Sequence, residues 1–323
     1  VKTQLFDFKQ LSQVPVSEQE KVHWVDEALR MQAKVQLPAK ISLKPQPEVF
    51  YNFMPVIIPA LQVAGVKVVN RIPGDAPALT SQIMLYDLPT GELKAVMDGD
   101  YITTARTGAV AAHSIQLLAK HAFQSIGFIG LGNQARATAK AILAIHQKRP
   151  LQVVLLKYKN QAETFKTYLD SLKTINSVDV QMVDTPAAIF KASDVVVSSV
   201  TYAKDDMLAD PSVMRAGTLL VPIHTRGFMN LDRVVDRVYC DAVDQIRNFK
   251  YFDQFRGLAQ VSDVLLGQAP GRQSDSERLT VYNIGTALHD IFFAEQLFKK
   301  LDGTGHAAFD WQAPTKKVWY GEW

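Results

Sequence analysis

Residues 125–143 read SIGFIGLGNQARATAKAIL. An apolar run from Ile126 to Ile129 meets Gly130, and Gly132 stands just before an alanine-rich stretch of helical periodicity. This predicts a strand, a tight turn and a helix. The turn narrows what the chain can fold into. Gly130 permits the bend and Gly132 lets backbone approach a pyrophosphate. Ala135, in place of a third glycine, still lets helix and strand pack closely. The helix start, with Asn133 and Gln134 in its first turn, offers unpaired N–H groups and a positive dipole end to phosphate. A glycine pattern alone also occurs in plain structural turns. Here its strand–turn–helix setting, with further alternation behind it, favours a dinucleotide site.

The alternation is read from LQVVLLK (151–157), VDVQMV (178–183), DVVVSSV (194–200) and GTLLVPI (217–223). These are uninterrupted apolar runs, three of them preceded by helical segments, which implies a parallel sheet covered on both faces. The first third differs. SEQEKVHWVDEALRMQAKV (17–35) has helical spacing, with Ser17 and Glu20 in capping-box form. Then come KISLK (40–44), VFYNFM (49–54), VKVVNRI (66–72), QIMLYD (82–87) and, after a turn, LKAVMD (93–98). They predict an antiparallel sheet in an α+β domain, followed by a helix from about Ile102 to Ala119. The segment 279–301 reads as mostly helical and able to return the chain to the first domain. Aromatic residues in the tail (Phe309, Trp311, Trp319, Trp323) suggest docking rather than a free end. The expected class is α/β: a doubly wound parallel sheet plus a discontinuous α+β domain.

Composition excludes several alternatives. The 323 residues suffice for two domains, and 47% hydrophobic with 21% charged residues is ordinary for a globular protein. A net charge of +3, with no block of Lys/Arg, argues against nucleic acid as partner. Cys240 is the lone cysteine, so neither an intramolecular disulfide nor a CxxC metal site is available, and the seven histidines lack paired ligand spacing. No run approaches the roughly 18 apolar residues of a membrane helix, and the first residues lack a signal-peptide core. A cytoplasmic protein is the default expectation.

Five basic residues invite a functional reading. After the second strand of the parallel sheet, an acid commonly bonds the ribose of NAD. This chain places Lys157 and Lys159 there, which suits the 2′-phosphate of NADP unless both are only solvated surface. NADP(H) is therefore expected over NAD(H). Lys67 lies inside an apolar strand-like run, either on an exposed strand face or facing a site; burial would equip it for proton transfer. Arg106, among small residues in DGDYITTARTGAVAAHS, has the form of a carboxylate or phosphate clamp, with a surface ion pair as the alternative. Lys40, in PAKISL, is a weaker candidate.

VKVVNRIPGD, MDGDYITTARTGAVAAHS, IGFIGLGNQARA and LLGQAPGRQSDSERLTVYNIGTALHD occur in this order and spacing. In this the chain resembles the ornithine cyclodeaminase and mu-crystallin family, over about residues 15–300. The resemblance implies a Rossmann domain inserted after an N-terminal substrate and dimerisation domain. The expected bounds are 1–115, completed by 302–323, for the substrate and dimerisation domain and 116–301 for the Rossmann domain. It implies an NAD(P)(H)-dependent enzyme, homodimeric, moving a hydride at the α-carbon of a small amino or imino acid. By position, Lys67 matches the lysine near nicotinamide and substrate, and Arg106 the arginine that grips the substrate carboxylate. Thr107 matches a residue near the cofactor phosphates. Lys40 stands where many members have a second, carboxylate-binding arginine. Ser198, Val200 and Thr201 match the loop passing the nicotinamide. Gly130, Gly132, Asn133, Gln134 and Ala135 match the phosphate turn.

One departure bears on substrate. Where ornithine cyclodeaminases carry an aspartate, VPIHTRGFMNLD places His224, a poor partner for a distal ammonium but a possible acid or base. The resemblance thus implies an imino-acid reductase or amino-acid dehydrogenase, with redox-neutral cyclodeamination of a diamino acid and a non-catalytic, NADP-dependent binding protein as alternatives.

Overall fold

Apolar alternation in the first third and uninterrupted apolar runs in the rest produce two different sheets, in a computed structural model describing residues 2–75, 77–146, 150–172, 178–201, 203–301, 307–310 and 319. In chain order come β1 (Lys2–Phe6), α1 (Phe8–Gln13), α2 (Glu18–Met31), β2 (Ile41–Gln46), β3 (Val49–Ile58), β4 (Val63–Arg71), β5 (Leu79–Asp87), β6 (Leu93–Asp98) and α3 (Gly99–Leu118). Then follow β7 (Ser125–Ile129), α4 (Asn133–Ile145), β8 (Leu151–Leu156), α5 (Gln161–Ser171), β9 (Val178–Val183), α6 (Pro186–Ala192) and β10 (Val195–Ser198). The chain ends with β11 (Leu219–Pro222), β12 (Arg237–Cys240), β13 (Ala259–Gln260), α7 (Val261–Leu265), β14 (Leu279–Tyr282), α8 (Ala287–Leu301) and β15 (Ala308–Asp310).

Two compact units result: Val1–Pro15 with Lys34–Ile102 and Asp290–Trp323, and Val16–Ala33 with Thr103–His289. By compactness the division therefore falls at Ile102 and His289, inside α3 and α8, and gives residues 16–33 to the second unit. These bounds differ from the domain limits expected from sequence.

The first unit holds a seven-stranded sheet in the order β15-β1-β6-β5-β4-β3-β2. Strands β2 to β6 pair antiparallel with one another, as their alternation predicts. The sheet is mixed, because β1 runs parallel to β6 and pairs antiparallel with β15. On the inward face β4 buries Val63, Gly65 and Lys67, and β5 buries Ser81, Ile83 and Leu85. Helix α8 covers Gly65 closely: a methyl there would lie 2.5 Å from Ile291 Cδ1 and 2.9 Å from the Met84 carbonyl oxygen. Strand β2 forms the opposite edge, with Ile41 57% and Leu43 55% exposed. Of the tail aromatics, Phe309 lies in β15, where it pairs with Thr3 but stays exposed, and Trp319 is exposed; Trp311 and Trp323 fall outside the described residues.

The second unit holds an eight-stranded parallel sheet in the order β13-β12-β14-β11-β10-β7-β8-β9. Every residue of β7, β10, β11 and β14 is buried, which explains their unbroken apolar runs. Strands β8 and β9 extend to one side of β7, and β10 and β11 to the other. The strand order thus reverses at β7, where ligands enter open sheets at the carboxyl ends. Residues 279–301 differ from the helical reading: Leu279–Tyr282 is a buried strand, and the helix starts at Ala287. Its four residues are all β-compatible, and pairing with β11 and β12 decides their state. Helix α2 begins at a true cap, where Ser17 Oγ accepts from the Glu20 N–H.

Candidate functional site

The glycine turn sits at the reversal of the parallel sheet. Gly130 has φ +79, and a methyl there would lie 2.8 Å from the Val200 nitrogen and 2.9 Å from the Ser199 carbonyl carbon. The turn and the loop after β10 are therefore in close backbone contact, fastened where Ser199 Oγ donates to the Gly130 carbonyl at 2.8 Å. The sequence-predicted loop Ser198–Thr201 and the glycine motif meet for this reason.

Helix α4 starts at Gly132 with no capping side chain and no acid in its first turn. The space beside the Gly132 Cα is open, with nothing within 4 Å of a methyl placed there. Ala135 is fully buried, and the buried Oε1 of Gln134 has no hydrogen-bond partner among the described residues. An uncapped helix start, with free N–H donors, and open space at the second glycine fit a bound pyrophosphate. Residues 130–135 and the 198–201 loop would hold a dinucleotide, which fits this site.

Arg106 and Thr107 belong to the same unit. Both are buried on α3. The next residue, Gly108, meets α4 directly: a methyl on it would lie 2.5 Å from the Ala137 carbonyl carbon. Only a residue without a side chain allows this crossing, and it fixes Arg106 and Thr107 next to the helix that the glycine turn starts. The Arg106 guanidinium lies over Gly285, whose φ is +87. A methyl on Gly285 would stand 2.6 and 2.8 Å from the two terminal guanidinium nitrogens. Asp241, buried just beyond β12, holds this loop by accepting from the Gly285 N–H at 2.8 Å and from Asn283 Nδ2 at 2.9 Å. Gln32 Nε2 of the α2 end donates to the Asp241 carbonyl at 2.8 Å. Sequence reading missed Asp241, Asn283 and Gly285; a glycine between a buried strand and a helix was the available signal.

His224 follows the end of β11, beside β10, and its Nε2 lies 2.7 Å from Ser198 Oγ. Burial pushes the imidazole pKa down to about 4, partly opposed by a backbone hydrogen bond at Arg226. The ring is thus neutral near pH 7, a hydrogen-bonding partner and not a cation. Lys157 and Lys159 lie just past β8, as expected. Lys157 Nζ is 3.0 Å from Asp184 Oδ1, and both side chains are well exposed. Lys159 has φ +51, with its ammonium 5.4 Å from the Tyr158 ring centre.

Lys67 and Lys40 lie in the first unit. Lys67 is not on a solvated face: its side chain is 2% exposed, and Nζ lies 2.7 Å from Oδ2 of Asp290, itself 0% exposed. Lys40 precedes β2 and is partly buried. Asp290 is a further residue that sequence reading left without a role. Among the described residues no cluster of His, Cys, Asp and Glu could hold a metal, and no helix is long and apolar enough to cross a membrane.

Comparison with known proteins identifies the family and the fold. Residues 8–305 match the sequence profile described as "Ornithine cyclodeaminase/mu-crystallin family". The nodulation efficiency protein NfeD of Rhizobium meliloti is 28% identical over 273 residues, covering 81% of this chain and 83% of that protein. A Δ(1)-pyrroline-2-carboxylate reductase of Bacillus cereus is 27% identical over 267 residues, covering 76% and 80%. Among solved structures, an archaeal alanine dehydrogenase dimer with bound NAD superposes with a TM-score of 0.82 at 22% identity, covering 96% of this chain and 99% of that one. At that identity the match shows a shared fold.

Proposed function

The chain belongs to the ornithine cyclodeaminase/mu-crystallin family, and from this we propose that it is an NAD(P)(H)-dependent oxidoreductase of small amino or imino acids, working as an imino-acid reductase. The observation that carries the reading is the buried Arg106 guanidinium, held over Gly285 in the same unit as the glycine turn. A buried guanidinium held in one place suits the planar, bidentate recognition of a substrate carboxylate. The nicotinamide, when bound, supplies or accepts a hydride at the substrate α-carbon. Arg106, helped by Lys40, grips the carboxylate and fixes which face of the substrate is presented. Lys67 gives a proton to the substrate nitrogen in the reductive direction and takes one in the oxidative direction.

A neutral His224 bonded to Ser198 favours reduction over cyclodeamination. At the position where the resemblance puts the cyclodeaminase aspartate, it offers no charge to a second ammonium. The name of the B. cereus relative makes Δ1-pyrroline-2-carboxylate the first substrate to try. Lys157 and Lys159 beyond β8, with no acid immediately after that strand, support NADP(H) over NAD(H). The exposed apolar residues of β2 support a homodimer, as does the dimeric alanine dehydrogenase neighbour. A monomeric mass by light scattering would reject it.

The deciding experiment follows nicotinamide absorbance with NADPH or NADH and a panel of cyclic and linear imino acids. Oxidation of NADPH by Δ1-pyrroline-2-carboxylate, with NADH slower, is the expected result. If no imine is reduced while ornithine releases ammonia, the protein is a cyclodeaminase. If neither occurs and nicotinamide fluorescence still reports binding, the role is non-catalytic.

A further inference from the structure

Lys67 sits in the middle of β4 with Met54 of β3 and Ile83 of β5 as its cross-strand neighbours, both buried and apolar. Into this surrounding α8 brings one carboxylate, Asp290, at 2.7 Å from Lys67 Nζ. The approach is built into the sheet. Gly65, two residues before Lys67 on the same face, has no side chain, so Ile291 packs directly on the strand and its neighbour Asp290 reaches the lysine. Asp290 also lies in the first turn of α8, where the helix dipole favours an anion.

A pair so fully buried is a poor way to add stability. Desolvating two charges offsets most of their attraction, and apolar residues of the same volume do as well or better. The other charged groups on the packed elements are engaged elsewhere. On α8, Glu295 takes Lys94 of β6 at 2.8 Å and Lys299 at 3.5 Å. His289 Nδ1 lies 3.2 Å from Thr286 Oγ1. Arg71, at the end of β4, pairs with Glu48; Asp87, at the end of β5, accepts from Thr90; Asp98, at the end of β6, accepts from the Asp100 and Tyr101 N–H groups. Asp290 is thus the carboxylate placed to compensate a charge on Lys67.

We propose that Asp290 is the positioning residue for Lys67, holding its amine in the ammonium form and in one place so that it can deliver a proton to the substrate nitrogen. The inference rests on the reading of Lys67 as the proton-transfer group. In the reductive direction the α-carbon gains the hydride of the reduced nicotinamide, the substrate nitrogen gains one proton and Lys67 loses one. Asp290 remains a carboxylate throughout, and Lys67 regains its proton from solvent. With the carboxylate removed, a buried ammonium loses its compensating charge and gives up its proton at lower pH.

The test compares Asp290→Asn, Asp290→Glu and Lys67→Met in the full chain, with Δ1-pyrroline-2-carboxylate as substrate and nicotinamide fluorescence for cofactor affinity. For Asp290→Asn we expect cofactor affinity within about 2-fold of wild type and a kcat lower by about 10–100-fold, the span of a general acid made less effective. The alkaline limb of its kcat profile should move down by roughly 1–3 pH units. Asp290→Glu should restore the limb and part of kcat. A wild-type kcat and pH profile in Asp290→Asn, alongside an inactive Lys67→Met, overturns the role of Asp290 and leaves that of Lys67 standing. An active Lys67→Met overturns the reading of Lys67 itself. Should Asp290→Asn fail to fold, Asp290→Glu carries the test: a moved carboxylate lowers kcat at unchanged cofactor affinity, and an unchanged kcat refutes the proposal.

Discussion

Gly285→Ala tests the proposed grip of Arg106 on the substrate without replacing a charged residue. Two penalties follow from the structure. Gly285 has φ +87, and an L-residue in the left-handed region costs about 1–2 kcal/mol. The new methyl would also stand 2.6 Å from one guanidinium nitrogen of Arg106, where ordinary contact needs about 3.5 Å. The backbone cannot yield freely, because Asp241 holds the Gly285 N–H at 2.8 Å. The guanidinium therefore retreats by roughly 1 Å, a misplacement that can cost on the order of 100-fold in rate. Losing one charge-assisted hydrogen bond, about 1.5–3 kcal/mol, gives a similar figure of about 10–150-fold. We expect kcat/KM for Δ1-pyrroline-2-carboxylate to fall by about 10–150-fold, with cofactor affinity unchanged by fluorescence titration and a modest loss in Tm. A folded variant with wild-type kcat/KM would refute the placement of Arg106 on the carboxylate. A parallel loss of cofactor affinity would show that Gly285 serves the nucleotide instead.

Other expectations can be checked with the same material. Burial holds His224 at about 4, below its unfolded value near 6.5, so its contribution is full above pH 6.5 and is lost as pH falls toward 4. The loss is on the order of 3 kcal/mol, and urea midpoints from pH 7 to 4.5 should drop less in His224→Gln than in wild type. Asp232 carries the opposite sign. Burial raises its carboxyl to about 7, with the Tyr282 hydroxyl at 2.6 Å partly opposing the shift. Its neutral form favours the fold, so its contribution is full below about pH 4 and is lost as pH rises through about 7. Asp232→Asn should therefore raise Tm at pH 8 and leave it nearly unchanged at pH 5; equal effects at both would contradict the assignment. Exchanging Lys157 and Lys159 together for alanine should raise the KM for NADPH by about 10-fold or more, the worth of a charge-assisted phosphate contact, with NADH little affected. An equal rise for both cofactors would remove the argument for NADP.

The sequence by itself determined the elements whose signal is local. The glycine turn was legible because a strand, a left-handed glycine and a helix start each leave a mark within a few residues. The parallel runs were legible because strands buried on both faces admit only apolar side chains, as in β7, β10 and β11. Arg106 stood out as the one cation among small residues in its helix, a contrast visible in a single window. Strands β1, β12, β13 and β15 left no such mark: they are two to five residues long, and their pairing partners decide their state.

Tertiary structure decided which charges are charges. Lys67 could have faced solvent; only the closeness of α8 over Gly65 buries it and supplies Asp290 from the far end of the chain. His224 could have been a cation; only its place beside β10, against Ser198 and out of water, makes it neutral. Arg106 could have pointed anywhere; Gly108 against α4 and Gly285 beneath the guanidinium help to fix where it lies. Each outcome depends on desolvation and on groups distant in sequence, and free energies of that kind arise only when the chain is packed.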